Sequence, residues 1–237
     1  MADNKNEFIT ESLIVNNVRV YYTQHLFKRD EPFRGKGEGV FRTTLIIPKT
    51  LTDTVTAIQK TLAKVAVIAV KKGVLAQDST VKAVKDGKDG IVGKDFGYPL
   101  LDGDKFVAKS DKAEGFAKAV AGCWYMEIKS SRDTFFLVDE QSRELDHTDP
   151  ATQRMFWSGD TVNADVTFNA YEPTGGKILG GISVWMNGLQ KVKDGDGRQN
   201  TAVNRFKPIA TLDSGTPDTT TDDAPASSED MYAAMGM

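Results

Sequence analysis

One cysteine and two histidines are all that 237 residues offer of the side chains most used in metal clusters and nucleophilic catalysis. The lone Cys123 excludes an internal disulfide framework and fits a reducing compartment. It sits in a strand-like run, where it reads as a small buried hydrophobe. With only His25 and His147 there is no zinc cluster to assemble, and little material for a Ser-His-Asp or Cys-His centre. No apolar run approaches the ~18 residues needed to span a bilayer. The opening MADNKNEFITES carries Asp3 and no apolar stretch, so it does not read as a signal peptide. What remains is ordinary for a soluble globular chain: 40% hydrophobic and 27% charged residues.

Strong charge of either sign is also lacking. The formal net charge is −3, from 30 Lys and Arg against 33 Asp and Glu. Six of the acids fall in residues 213–237, which hold no Lys or Arg, so the rest of the chain carries 30 cations against 27 acids, a net +3. A duplex-wrapping protein would be far more basic, whereas one that holds single strands partly by stacking needs less charge.

The most informative stretch runs from Ser158 to Gly197. Val162, Ala164, Val166, Phe168 and Ala170 alternate with polar residues in the period of two expected of a strand with one dry face. Glu172-Pro173-Thr174-Gly175-Gly176 supplies a turn, and Ile182, Val184 and Met186 begin a returning strand. The wet face of this hairpin is expected to carry Asn169, Tyr171, Trp185, Asn187, Gln190 and Lys191, a set of rings, amides and a cation against which a flat base could stack and hydrogen-bond.

Upstream, Leu13, Val15, Val18, Val20 and Tyr22 read as a strand that runs into the loop RDEPFRGKGEG. There Phe27 and Phe33 interleave with Lys28, Arg29, Arg34 and Lys36 among glycines, a composition suited to a flexible polyanion and equally to a mobile, well-solvated hairpin loop. Val40 to Ile47 is a further strand, stopped by Pro48. The period then changes: Val55, Ile58, Leu62, Val65 and Ala69 predict an amphipathic helix of about five turns, closed by Lys71-Lys72-Gly73. A second helix is expected near Ala76 to Lys85. Cys123 to Ser130 alternates again, with Trp124, Met126 and Ile128 inward and Tyr125, Glu127 and Lys129 outward. Phe135 to Val138 adds a short strand, and Phe156-Trp157 reads as packing.

Several apparent motifs fail. Gly93-Lys94 is followed by Asp95 where a phosphate loop needs Ser or Thr. Asp194-Gly195-Asp196-Gly197 lacks the ligands of a calcium loop, and Asp102-Gly103-Asp104 resembles one only in composition. Asp102, Asp104 and Asp165 would suffice in number for a divalent-metal nuclease, but no spacing compels it. No metal or cofactor is therefore expected, and binding is favoured over catalysis.

From Asp213 order is expected to fail, because the segment is rich in Thr, Ser, Pro and Asp and cannot bury enough apolar surface to offset chain entropy. The expected organisation is one domain over residues 1–212 and an acidic tail over residues 213–237. Asp222, Asp223, Glu229 and Asp230 lead to an apolar tip with Met231 and Tyr232, the form of a peptide that docks into basic-rimmed pockets, or of a plain solubilising tail.

Five pieces in order carry a family resemblance: RVYYTQHLFK at Arg19–Lys28, LIIPK at Leu45–Lys49, YPLLDGDKF at Tyr98–Phe106, GCWYMEIKSS at Gly122–Ser131 followed by LVD, and AYE with GGISVWMNGLQKVKDGD at Gly180–Asp196. Together they resemble a family of phage single-stranded-DNA-binding proteins. The resemblance implies a mainly β, OB-fold-like five-stranded barrel with helical and loop insertions. It also implies sequence-independent binding of single-stranded DNA in phage replication or recombination, a host-cytoplasmic location, and a tail that meets replication proteins such as a DNA polymerase.

On this reading bases stack on rings drawn from Tyr22, Phe27, Tyr125, Tyr171 and Trp185, and phosphates meet Lys28, Arg34, Lys36, Arg42, Lys129 and Lys191. Nothing in the residues sets the oligomeric state, and a homodimer is one option. The competing class is a β-rich phage structural protein or protein-only adaptor, which would share the alternating strands and need neither the acidic tail nor the interleaved cations and rings.

Overall fold

A computed structural model describes residues 9–31, 38–78, 80–81, 84, 96–108, 114–131, 135–172 and 180–195. Arg34, Lys36 and the whole tail, including Asp222, Asp223, Glu229, Asp230, Met231 and Tyr232, lie outside the described residues.

The strands are β1 (Thr10–Tyr21), β2 (Phe41–Pro48), β3 (Leu101–Asp102), β4 (Cys123–Ser130), β5 (Phe136–Val138), β6 (Glu144–Leu145), β7 (Thr161–Tyr171) and β8 (Gly181–Lys193). The helices are α1 (Thr52–Lys71), α2 (Gly103–Val107), α3 (Glu114–Val120) and α4 (Pro150–Met155), with a 3-10 turn at Thr23–Leu26. One sheet takes the order β3-β4-β2-β1-β7-β8-β5-β6, and an additional β4–β8 pairing joins it to itself. That pairing is parallel and matches Lys129 with Trp185, so β4, β2, β1, β7 and β8 close into a mixed five-stranded barrel of OB-fold-like arrangement.

The expected alternation supplies the core. Val162, Ala164, Val166 and Phe168 of β7, Met126 and Ile128 of β4, and Ile182, Val184 and Met186 of β8 are all buried. Each large side chain taken fully from water contributes roughly 1.5–3 kcal/mol. Helix α1 packs against this core with Val55, Ile58, Leu62, Val65 and Ala69. Its end is a Schellman motif: Gly73 takes φ 72°, its N–H bonds the Val70 carbonyl at 3.0 Å, and the Val74 N–H bonds that of Ala69 at 2.9 Å. Residues 77, 78, 80, 81 and 84 are also helical, where a second helix was expected.

Outside the barrel, α2 and α3 lie on β4 and cover a second cluster made by Ile46, Phe116, Val120 and Cys123. Cys123 is buried there, as its surroundings in the sequence suggested. Phe156 is buried as expected, while Trp157 is exposed, with its Nε1–H donated to the Arg154 carbonyl at 2.7 Å.

Two irregularities decide which way side chains point. In β1 the pairing with β7 shifts between Val15 and Val18, where Asn17 takes φ 56° and its N–H donates to the Asn163 side-chain oxygen. In β8, Val166 pairs with Met186 but Asp165 pairs with Gly188, so Asn187 is an extra residue. A bulge of this kind exchanges the two faces for everything beyond it.

Trp185 therefore points out while Lys191, six residues on and of the same parity, points in. Lys191 is a correction to the sequence expectation of an open phosphate contact. It is buried, and its ammonium bonds the Asp160 carboxylate, the Asp194 carboxylate at 2.9 Å and the Met155 carbonyl at 2.7 Å. Asp160 also accepts from the Trp157 and Gly195 N–H groups, each at 2.8 Å. The group ties the start of β7 to the end of β8.

Candidate nucleic-acid interface

The outer face of β2 and β4 is built from cross-strand pairs. Arg42 lies opposite Lys129, Thr44 opposite Glu127, and Ile46 opposite Tyr125. Because successive side chains alternate, Arg42, Thr44, Tyr125, Glu127 and Lys129 all share the outer face. A cleft of about 520 Å³ opens over it. Its other walls are Tyr22 and His25 after β1, Gly97, Tyr98, Pro99 and Leu101, Phe116 of α3, and Ile182–Val184 of β8.

Glycine is required at one junction of these walls. Gly97 and Gly181 form an isolated parallel bridge, and the Ile182 N–H bonds the Gly97 carbonyl at 2.8 Å. A Cβ on Gly181 would stand 2.6–2.7 Å from Gly97 backbone atoms, and one on Gly97 would stand 2.1 Å from the Tyr171 hydroxyl. The two backbones can touch only because Gly181 has no side chain, and the bare Gly97 leaves room for the Tyr171 hydroxyl. This contact lays Tyr98-Pro99 along β8 and sets the phenol of Tyr171 against Gly97.

Rings line one end. Tyr22 adopts φ 61°, and its N–H donates to the Ser158 hydroxyl at 3.0 Å. Its ring lies 5.2 Å from that of Phe116 and 4.8 Å from that of Tyr21. Phe116 lies 5.5 Å from Tyr125, so an aromatic ridge runs from the end of β1 over α3 to β4. Burial raises the pKa of Tyr125, with a further push from the Asp102 carboxylate, and burial also raises that of Tyr171. Burial alone lifts Tyr98 to about 12. These phenols stay neutral at physiological pH, and no phenolate opposes an incoming anion.

Cations line the other end. The Lys129 ammonium lies 5.3 Å from the centre of the Trp185 ring. Arg42 bonds Asp30 through Nε and Glu127 through Nη1 at 3.3 Å. Among the described residues no group of three His, Cys, Asp or Glu side chains could hold a metal ion. Asp102 and Asp104 instead share the Lys49 ammonium, each at 2.7 Å. No helix among the described residues is long and apolar enough to cross a membrane.

Of the residues singled out in the sequence, Tyr22, Arg42, Tyr125 and Lys129 line one cleft. Trp185 joins them through Lys129, and Tyr171 through Gly97. Phe27 is placed elsewhere: it packs on the core, 6.5 Å from Phe156. Lys28 is exposed but does not line the cleft. Lys191 is sealed inside, as described above.

Sequence reasoning passed over Phe116, His25, Thr44 and Ser183 as wall residues. Arg19, which opens the first resembling stretch, is structural: it donates to the Ala119 carbonyl at 3.0 Å, in the last turn of α3.

The family model described as Enterobacter phage Enc34, ssDNA-binding protein, matches residues 11–216. Among solved structures, a C-terminal truncation of the single-stranded DNA-binding protein from bacteriophage Enc34 aligns with a TM-score of 0.50 at 20% identity, over 77% of this chain and 86% of that one. The same phage protein in complex with ssDNA aligns with a TM-score of 0.49, also at 20% identity and over 77% and 86% of the two chains. Bacteriophage T7 gp2.5, a single-stranded DNA binding protein, aligns with a TM-score of 0.47 at 12% identity, over 89% of this chain and 100% of that one. A comparison with curated proteins finds no match.

Proposed function

The chain belongs to the family of the Enterobacter phage Enc34 single-stranded-DNA-binding protein, and from that premise we propose that it binds single-stranded DNA, without catalysis and without sequence preference, in the cleft on the outer face of β2 and β4. The observation that carries this reading is the convergence of Tyr22 and Arg42 with Tyr125 and Lys129 of β4 on one open surface.

Such a surface suits an unpaired strand for two reasons. Bases present π-faces that stack on neutral rings whatever their identity, at roughly 1–3 kcal/mol per base. Phosphates meet Arg42 and Lys129 on neighbouring strands, so the backbone would run along the cation end while bases turn toward the ridge of Tyr22, Phe116 and Tyr125. The cleft volume lies in the range that buries a ligand of nucleotide size. Two cations on a narrow face favour a flexible single strand over a stiff duplex, whose evenly spaced charge calls for a wider basic surface.

The role assigned is coating of single strands during phage DNA replication or recombination. The segment around Asp222, Asp223, Glu229, Asp230, Met231 and Tyr232 is assigned to docking a replication protein such as a polymerase. Parallel titrations with poly(dT), duplex DNA and RNA test the reading. Tight binding to poly(dT) with weak binding to duplex supports it. Equal binding to duplex, or no binding to poly(dT), refutes it.

A further inference from the structure

We infer that Glu127 is an affinity-limiting anion built into the binding face, which occupies Arg42 in the DNA-free protein and has to give way when a phosphate arrives. The inference rests on the single-stranded-DNA reading above and adds to it a residue that opposes binding.

The geometry separates two carboxylates around one guanidinium. Asp30 is held in place: its N–H bonds the Val40 carbonyl at 3.0 Å, His25 Nδ1 lies 2.7 Å from its carboxylate, and its side chain is 19% exposed. Its other oxygen takes the Nε of Arg42. Asp30 therefore orients the guanidinium from beside β2. Glu127 is different, because it approaches from β4 on the cleft side, bonds Nη1 at 3.3 Å and is 56% exposed. It can swing away where Asp30 cannot.

Its place is set by register. Lys129 is the direct cross-strand partner of Arg42, and Glu127 stands two residues from Lys129 on the same face, on the diagonal from Arg42. A carboxylate there takes the side of Arg42 that faces the cleft, where a phosphate would bind.

An exposed pair of this kind contributes little to folding. Its effect on a polyanion is larger, since a phosphate reaching Nη1 must displace one negative charge and then lie beside it. Lys129 faces no such competitor: it lies over Trp185, and no carboxylate pairs with it among the described residues. The face thus holds one cation ready and one in reserve. As a phosphate leaves, Glu127 recaptures Arg42, which speeds release of the strand.

The test is Glu127→Gln in the full chain, with oligo(dT) affinity and dissociation rate measured across a salt series. Glu144→Gln, on β6 and outside the cleft, makes the same change in net charge. The expected result for E127Q is binding about three- to tenfold tighter at low salt, mostly through slower dissociation, with the gain fading as salt screens it. Its slope of log affinity against log salt should steepen by up to about 0.7. E144Q should match the wild type. In an Arg42→Gln background the gain from E127Q should shrink.

Unchanged or weaker binding by E127Q, equal tightening by E144Q, or a full gain without Arg42 would each overturn the inference. Failure of the wild type itself to bind oligo(dT) would instead overturn the reading beneath it, so the two failures are distinguishable.

Discussion

The Lys129 ammonium lies over the Trp185 ring, 5.3 Å from its centre, at the same two residues where β4 pairs with β8 and the barrel closes. Closure of the fold and presentation of a ring-and-cation pair are therefore one event. A chain that failed to join β4 to β8 would lose the wall of the cleft along with the last seam of its barrel.

Trp185→Ala is expected to weaken oligo(dT) binding by roughly 1–3 kcal/mol, the usual worth of one stacked base. Lys129→Gln is expected to reduce the salt slope by about 0.7. Because the two side chains touch, the double variant should lose less than the sum of the single losses. Fluorescence anisotropy on labelled oligo(dT) measures all three, and strict additivity would show that the pair does not act together.

Lys191 separates structure from binding. Lys191→Ala leaves the Asp160 carboxylate buried without its cation, which typically costs about 3–5 kcal/mol of folding stability. Urea unfolding should show that loss. The salt slope of DNA binding, read under conditions where the variant is folded, should match the wild type. A slope reduced by about 0.7 would restore Lys191 to the phosphate contacts.

Gly181→Ala places a Cβ 2.6–2.7 Å from the Gly97 backbone. Neither backbone can yield without moving β8 or the Tyr98-Pro99 wall. The expected cost is about 1–3 kcal/mol of stability together with weaker oligo(dT) binding. A variant as stable as the wild type would contradict the close approach.

Acid should weaken the fold in part through three named carboxylates. The Lys49 ammonium and the Gly122 N–H hold Asp104 below the ordinary carboxylate range, and the Thr148 hydroxyl and N–H do the same for Asp146. Asp139 is lowered by the Arg143 N–H, with its guanidinium and the Gln141 N–H assisting. Folded-state values below the unfolded ones mean that the folded chain binds fewer protons. The stability they contribute is full above about pH 4 and is lost as pH falls through that value toward the lowered ones. Urea midpoints should hold steady from about pH 7 to 5 and drop below about pH 4, less steeply for Asp139→Asn. A midpoint unchanged at about pH 3 would contradict this.

Much of the fold was legible because two periods dominate it. The spacing of Val55, Ile58, Leu62, Val65 and Ala69 marked α1, and Gly73 marked its end. Alternation through β4, β7 and the first half of β8 assigned their faces correctly, which is why Tyr125, Lys129 and Trp185 lie on the outer face as expected. Alternation failed at Asn187-Gly188, since nothing in those two residues announces an extra one, and Lys191, counted from Trp185, was given the wrong face, while Gln190 lies outward as expected.

The aromatic ridge was illegible for another reason. Phe116 reaches Tyr22 and Tyr125 only after α3 settles on β4, a contact between segments that no local pattern relates. The carboxylates around Arg42 were hidden in the same way, because Glu127 reaches it only through the pairing of β2 with β4 and Asp30 only through the loop bond to Val40.

The most direct test of the cleft as the binding site is the salt dependence of oligo(dT) affinity in the wild type and in the Arg42→Gln/Lys129→Gln double variant. With Arg42 and Lys129 each neutralising one phosphate, the double variant should show a slope of log affinity against log salt shallower than that of the wild type by about 1.4. Equal slopes in the two proteins would mean that phosphates bind elsewhere on the chain, and would contradict the account.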